Sequence, residues 1–504
     1  MPQAGISSSA RSLCKNGLID QATIALDGED GLEVRGTPHA ARESDNEVEI
    51  EISNVGEEAT ANAADGRPRA FEYTAKMLRT SLALVAGLLL SPLPAAAQVT
   101  AFVDGRLIDG RGGVIEHGSV VVRDGLIVEA GPSDAVSIPE GAARVDLRGK
   151  TIMPGIVNAH GHLAGVRGLE SGPQFYTRDD LVRQLTTYAA YGVTTVVALG
   201  DDQAEAFALR AEQSLKPPGR ARVFLAGPSI AAATPEAAVT DTDKVIALKP
   251  DLIKSRVDDN LGATRTMPEP VWRAVLERAR SAGLRLAVHL FYLEDATAVA
   301  RAGASFIVHS VRDLPVDEAF LSAMKSSGAC YSPTLMREVS TFVYESTPSW
   351  VDDPFFRRGY SSDIAAALKD PARQTRFRAS PAFAQGQKYK TALEVAKGNL
   401  KRVAAAGIPV AMGTDSGPAG RFQGFFEHLE LEMMVAAGLT PAQAIVSATS
   451  TAAACWGKAG QIGVLAKGAA ADLLVLNANP LDDIKNTRRI DAVYVAGRLL
   501  DAPR

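Results

Sequence analysis

The chain has 504 residues, 46% hydrophobic and 22% charged, with a formal net charge of −5. This is ordinary globular composition, enough for one large domain with a smaller companion, and it excludes a wholly disordered chain or a fibre. Residues 1–76 carry 7 Lys and Arg against 14 Asp and Glu, which leaves the rest almost neutral at 46 against 44; the concentrated basic surface that nucleic acid requires is not there.

In chain order, residues 1–76 are rich in Gly, Glu and Asp and poor in large apolar side chains, a composition unable to bury a core. Two readings stay open for them: a stretch upstream of the true start, or a disordered arm. Residues 77–97 read as a signal peptide. Met77-Leu-Arg-Thr-Ser is a basic start, residues 82–90 form an apolar run too short to span a bilayer comfortably, and Ala95-Ala-Ala97 precedes Gln98 as a cleavage site. The expected mature chain is 98–504, periplasmic or secreted, and without a lipid anchor because no Cys follows the cleavage point.

Residues 98–150 alternate in short runs punctuated by Asp-Gly and Gly turns, as in Ser119-Val-Val-Val-Arg-Asp-Gly125, which is the pattern of antiparallel hairpins. Residues 459–504 repeat that style in Ala471-Asp-Leu-Leu-Val-Leu476 and Ala492-Val-Tyr-Val-Ala-Gly-Arg498. The two ends are therefore expected to form one small β-sandwich domain. Between them, residues 151–458 show a recurrent junction in which a helical stretch stops at Gly and an apolar run follows, at Gly192, Gly283, Gly303, Gly328 and Gly407. Gly suits the left-handed residue past a helix end, and buried parallel strands read as continuous apolar runs. With strands at 153–159, 222–226 and 252–255 the count reaches eight, and the expected fold is α/β, a (β/α)8 barrel of the usual size of about 250 residues.

Four of the seven histidines fall at the ends of these strands: His160 and His162 after the first, His289 after the fifth, His309 after the sixth. Lys254 lies on the fourth and Asp415 follows the eighth. All such ends face one rim of a parallel barrel, so these residues converge. His160 and His162, two apart, point to the same side and can offer nitrogen to one ion. The three cysteines, Cys14, Cys330 and Cys455, include no C-x-x-C pair, so neither thiolate zinc nor a disulfide framework is indicated. Lys254 follows Leu252 and Ile253 on a buried strand, where desolvation favours a neutral amine able to take up carbon dioxide as a carbamate. His428 and His117 read as structural.

With Asn158-Ala-His-Gly-His162 after Pro154-Gly155, the Lys254 strand, His289, His309, Gly413-Thr-Asp415 and Lys467-Gly-Ala-Ala-Ala-Asp472, residues 99–504 resemble the amidohydrolase superfamily. The nearest branch looks like the imidazolonepropionase-like enzymes that include Xaa-Pro dipeptidases. The resemblance implies two divalent ions: His160, His162 and Asp415 on one, His289 and His309 on the other, with carboxylated Lys254 and a hydroxide bridging. Zinc is the expected metal, with manganese also compatible with such ligands. Asp415 would then move the proton from the attacking water to the leaving amine.

That resemblance implies an exported hydrolase of an amide or peptide bond, acting on a dipeptide or N-acyl amino acid; relatives also commonly assemble as homo-oligomers. Carbamates, phenylureas, lactones and organophosphate esters are alternative electrophiles, and a non-catalytic scaffold barrel is the alternative of another class. A deaminase is disfavoured, since Tyr292 stands where such enzymes carry a glutamate and Glu294 lies five residues past His289. Tyr292 is a candidate to hydrogen-bond the scissile carbonyl, and Arg312 or Arg337 to clamp a substrate carboxylate. The long stretch between Pro333 and Gly407 is expected to form a lid, with Trp350, Phe355 and Phe356 facing substrate or anchoring the lid itself.

Overall fold

The computed structural model describes residues 19–27, 31–38 and 99–500, apart from 216, 217, 260 and 263. The expected signal peptide lies outside these residues, as does most of 1–76, within which Ile19–Asp27 and Gly31–Pro38 pair as an antiparallel hairpin. Among the described residues no helix is long and apolar enough to cross a membrane.

Seven parallel strands carry the site: β1 (Ile156–Gly161), β2 (Val193–Ala198), β3 (Arg222–Leu225), β4 (Ile253–Arg256), β5 (Leu286–His289), β6 (Phe306–Val308) and β7 (Cys330–Ser332). They form two sheets, β3-β2-β1 and β4-β5-β6-β7, each strand followed by a helix. β1, β2, β5, β6 and β7 are buried at every position, as strands covered on both faces should be. The helix Glu269–Ser281 shows the logic of the connections. Pro268 and Glu269 open it, Val271, Val275, Leu276 and Ala279 are its buried stripe, and Gly283 follows at φ +70.

The expected closed barrel needs correction. The strand ladders do not close, and in place of an eighth strand an irregular segment runs between β7 and β1, held by the isolated bridges Tyr331 to Val410 and Gly161 to Ser416 and by single backbone bonds from Ala159 N–H to the Met412 carbonyl and from Ala411 N–H to the Tyr331 carbonyl. Pro409 accounts for part of this: it has no N–H to donate, and its carbonyl accepts from Tyr331 instead. The first expected strand also divides. Thr151–Pro154 leaves to pair with Leu473–Leu476, and only Ile156–Gly161 joins the parallel sheet.

The two ends of the chain meet in one eight-stranded mixed sheet rather than a demonstrated sandwich. Val99–Ile108, Val114–Arg123 and Leu126–Pro132 lie on one side of Thr151–Pro154, and Leu473–Leu476, Ile490–Val495 and Arg498–Leu499 on the other, with Ala143–Asp146 alongside the first strand. Phe102, Val120, Ile127, Ile152, Leu473 and Val475 form its core.

One covalent link was not expected. Cys330 on β7 is disulfide-bonded to Cys455 at the end of the helix Ser450–Cys455, across 125 residues. The spacing gave no hint of it, because the two meet only once the strands are stacked.

Candidate metal centre and active site

The strand ends converge as the sequence predicts. His160, His162, Lys254, His289, His309 and Asp415 line one cavity of about 500 Å³, and all are buried except His162, which is half-buried. Neighbouring imidazoles are in contact, with ring centroids 5.4 Å apart for His160 and His162, 4.7 Å for His160 and His309, and 4.1 Å for His289 and His309. Asp415 Oδ1 lies 2.7 Å from His162 Nε2 and 3.4 Å from His160 Nε2.

The local backbone is shaped for this convergence. His309 and Asp415 have φ of +70 and +60, as does Thr334 at +46, a conformation that side chains other than glycine rarely adopt. Such strain persists only where surrounding contacts over-determine it, and His309 and Asp415 both line the cavity. Gly413 is required by space: a Cβ there would stand 2.7 Å from His160 Cβ and 2.6 Å from Ser332 Oγ. Behind the ligands, buried Glu427 Oε1 accepts from Asn158 (2.6 Å), Thr414 (2.8 Å) and Ser416 (2.6 Å), and Asn158 Oδ1 accepts from the His160 backbone N–H. This network ties the first strand to the Asp415 segment.

Electrostatics agree with a cation-binding role. Burial pushes His160 and His309 well below the ordinary imidazole range and His289 down to about 3, so all three are neutral donors. Burial also lowers Lys254 to about 7, against the opposing pull of Asp415. For Asp415, burial works against ionisation, but Arg421 and the bonds from His160 and His162 outweigh it and hold the carboxyl well below its usual range. Neutral amine and ionised carboxylate are the forms that a metal requires.

The donor set fits divalent ions. His160 Nδ1 is buried with no hydrogen-bond partner, and a buried polar atom of this kind is costly unless something completes it. One ligand atom each from His160, His162 and Asp415 lies within 4.8 Å of the others. His309 shares its Nδ1 with Thr334 Oγ1 at 2.7 Å, which leaves Nε2 for a ligand role, and His289 Nε2 lies 3.3 Å from buried Asp258.

The substrate contacts expected from sequence fare differently. Arg337 does line the cavity, with Nε 3.9 Å from Asp415 Oδ2. Arg312 does not: it is fully buried behind the site, donating to the carbonyls of Leu290 and Ser310, paired with Glu338 at 3.1 Å and stacked on Phe291. Tyr292 is also outside the cavity lining. It caps the helix Leu293–Arg301, and its hydroxyl donates to Asp259 at 2.9 Å. The physical reason is the same for both: local carbonyls and acids outside the cavity lining satisfy these polar groups. The lid segment is helical, and Trp350, Phe355 and Phe356 pack on Tyr191, Phe422 and Phe425 as anchors away from the cavity. His428 is structural, bonded to Thr487 and the Tyr191 carbonyl.

Residues missed by sequence reasoning complete the cavity: Tyr176, Asp201, Ser229, Arg256 and Arg421. Arg421 pairs with Asp415 Oδ2 and donates to Ser340 Oγ at 3.1 Å.

Comparison with known proteins decides the family. Residues 151–500 match the amidohydrolase family. The chain belongs to the amidohydrolase family. Within it, the chain is an imidazolonepropionase-like member, 30% identical over 302 residues to imidazolonepropionase from Methylobacterium nodulans, a match covering 51% of this chain and 72% of that protein. A shorter stretch of 103 residues is 37% identical to ochratoxinase from Aspergillus niger, covering 19% of this chain and only 20% of that enzyme. A Xaa-Pro dipeptidase crystallised with methionine in its active site superposes with a TM-score of 0.64 at 20% identity, covering 80% of this chain and 99% of that one. Family and neighbours together imply an α/β fold containing a TIM barrel, and the family is generally metal-dependent.

Proposed function

We propose that this amidohydrolase is an exported, metal-dependent hydrolase of amide bonds whose substrate is a dipeptide or an N-acyl amino acid. The observation that carries the reading is the single cavity in which four histidines, Lys254 and Asp415 converge with donor atoms directed inward. His160, His162 and Asp415 would hold one divalent ion, and His289 and His309 the second, with a carboxylated Lys254 shared between them. Bound ions of this kind supply Lewis acidity toward the scissile carbonyl and lower the pKa of water.

The chain's own groups do the rest. Asp415, held ionised by Arg421, accepts a proton from water and returns it to the leaving amine. Lys254, lowered to about 7 by burial, offers enough neutral amine to react with carbon dioxide. Arg256, Arg337 and Arg421 give the cavity a cationic wall suited to a substrate carboxylate. Glu294 is exposed and does not line the cavity, which disfavours the acid-assisted chemistry of a deaminase. A Xaa-Pro dipeptidase, named for a peptide substrate, supports the same bond class. The Cys330–Cys455 disulfide supports export, since such bonds persist in oxidising compartments.

The test is release of free amino acid from a panel of dipeptides and N-acyl amino acids by the zinc- or manganese-loaded protein. Expected is release that a chelator abolishes and added metal restores. A protein shown to hold two ions, yet inert on the whole panel, would overturn the substrate class.

A further inference from the structure

Three guanidiniums face the catalytic cavity, and they are not equivalent. Arg337 is committed: Nη1 donates to Glu338 at 3.0 Å, Nη2 to Tyr389 at 3.2 Å, and its plane lies over the Tyr389 ring at 4.3 Å. Arg421 is committed to Asp415 and Ser340. For Arg256, among the described residues, no carboxylate lies within ion-pair distance, and neither a carbonyl nor a hydroxyl accepts from it.

Its position is set by the strand. Arg256 is the last residue of β4, two past Lys254, so both side chains leave the strand on the same side. The parallel register places it opposite His289 on β5, which also lines the cavity. The guanidinium therefore stands beside the histidine cluster, half-buried, with Asp201 also lining the cavity and Asp258 two residues further along, held against His289 Nε2 at 3.3 Å. The nearby carboxylates of Asp258 and Asp415 are engaged by His289 and by Arg421, so the planar fork of donors on Arg256 stays open to an incoming carboxylate.

We infer that Arg256 is the specificity-determining residue that docks the carboxylate of the substrate's amino-acid half, so that the enzyme selects substrates carrying a free carboxylate next to the scissile amide. This deepens the amide-hydrolase reading and rests on it. Arg256 does not touch the reacting atoms; it holds the leaving group so that the carbonyl reaches the metal-ligand wall.

The experiment compares an N-acyl-phenylalanine with its C-terminal carboxamide, two molecules that differ only in that charge, in the metal-loaded wild type, Arg256→Gln and Arg256→Lys. Circular dichroism and metal content are measured alongside. The wild type is expected to favour the carboxylate by about 10- to 100-fold in KM, the scale of a charge-assisted hydrogen bond. Arg256→Gln should reduce that preference to below about 3-fold, with KM rising more than kcat falls, and Arg256→Lys should keep part of it because the charge remains without the fork.

An unaltered preference in Arg256→Gln would overturn the assignment. So would equal losses on both substrates accompanied by lost metal, which would make Arg256 a support for the ligand shell. If the wild type cleaves neither molecule, the hydrolase reading fails by itself, and calorimetric binding of the same pair decides Arg256. Tighter binding of the carboxylate, lost in Arg256→Gln, upholds the docking role; equal binding of both by the wild type removes it.

Discussion

The cavity has two walls built on opposite principles. On the strand-borne wall, His160, His289, His309, Lys254 and Asp415 are buried and line the cavity, and His160 Nδ1 has no hydrogen-bond partner among the described residues. Behind the other wall, Arg312, Arg337 and Glu338 are equally buried, yet their charges are spent on one another and on local carbonyls. Burial alone does not mark chemistry. The second group pairs its charges internally, Arg312 and Arg337 on Glu338, whereas the first borders the cavity.

The largest effect should come from the first wall. Lys254→Ala would remove the residue proposed to be shared between two ions, and amide hydrolysis is expected to fall by about 10³-fold or more, beyond the usual loss of a single stabilising group. Activity assays with metal analysis check this; full activity with both ions retained would remove Lys254 from the site. On the second wall the loss should be of stability instead. Glu338→Ala strands two buried guanidiniums, and denaturant unfolding should show about 3–5 kcal/mol of destabilisation. If that variant were stable but catalytically dead, the division between the walls would be wrong.

Both walls rest on a floor tied by Cys330 and Cys455. Replacing the pair with alanines should cost about 2–4 kcal/mol in urea unfolding, because a 125-residue loop is released in the unfolded chain. The same assay run with reductant should reproduce the loss in the wild type and leave the double variant unmoved. A smaller effect is expected at the network behind the first wall. Glu427→Gln replaces an acceptor that takes three hydrogen bonds with a weaker one, and metal affinity or activity should fall by about 10- to 100-fold while the fold persists.

The same contrast explains what was legible in the sequence. A strand ending in His or Lys after a Gly-punctuated helix states both the residue and its direction, so the six residues that line the cavity from the strand ends are legible in the sequence. Arg256 was open to the same argument, since it stands two residues from Lys254 just as His162 stands two from His160; it was overlooked because an arginine carries no metal-ligand signal. Arg421, Glu338 and Glu427 stand on loops and helices away from the parallel strands, which no local period encodes. The Cys330–Cys455 contact is likewise a product of strand order. Tyr292 and Arg312 follow His289 and His309 by three residues each yet lie outside the cavity lining, because Asp259 holds the one and Glu338 with nearby carbonyls holds the other.

Tyr292 offers the finest test of that lesson, because two roles predict different numbers for one atom. A hydroxyl that bonds the developing oxyanion would make Tyr292→Phe cost about 10²- to 10³-fold in kcat. The structure instead gives that hydroxyl to Asp259 at 2.9 Å, with burial and Asp259 together raising the phenol to about 12, so it remains a protonated donor whose partner is already chosen. Losing one half-exposed hydrogen bond is worth about 0.5–1.5 kcal/mol of stability, and turnover should change by less than about 3-fold. Single-turnover kinetics on any cleaved amide separate the cases. A large fall in the chemical step would mean that the loop after β5 swings inward when substrate binds; a small one would leave the cavity wall as it stands, with the strand-end residues alone responsible for the chemistry.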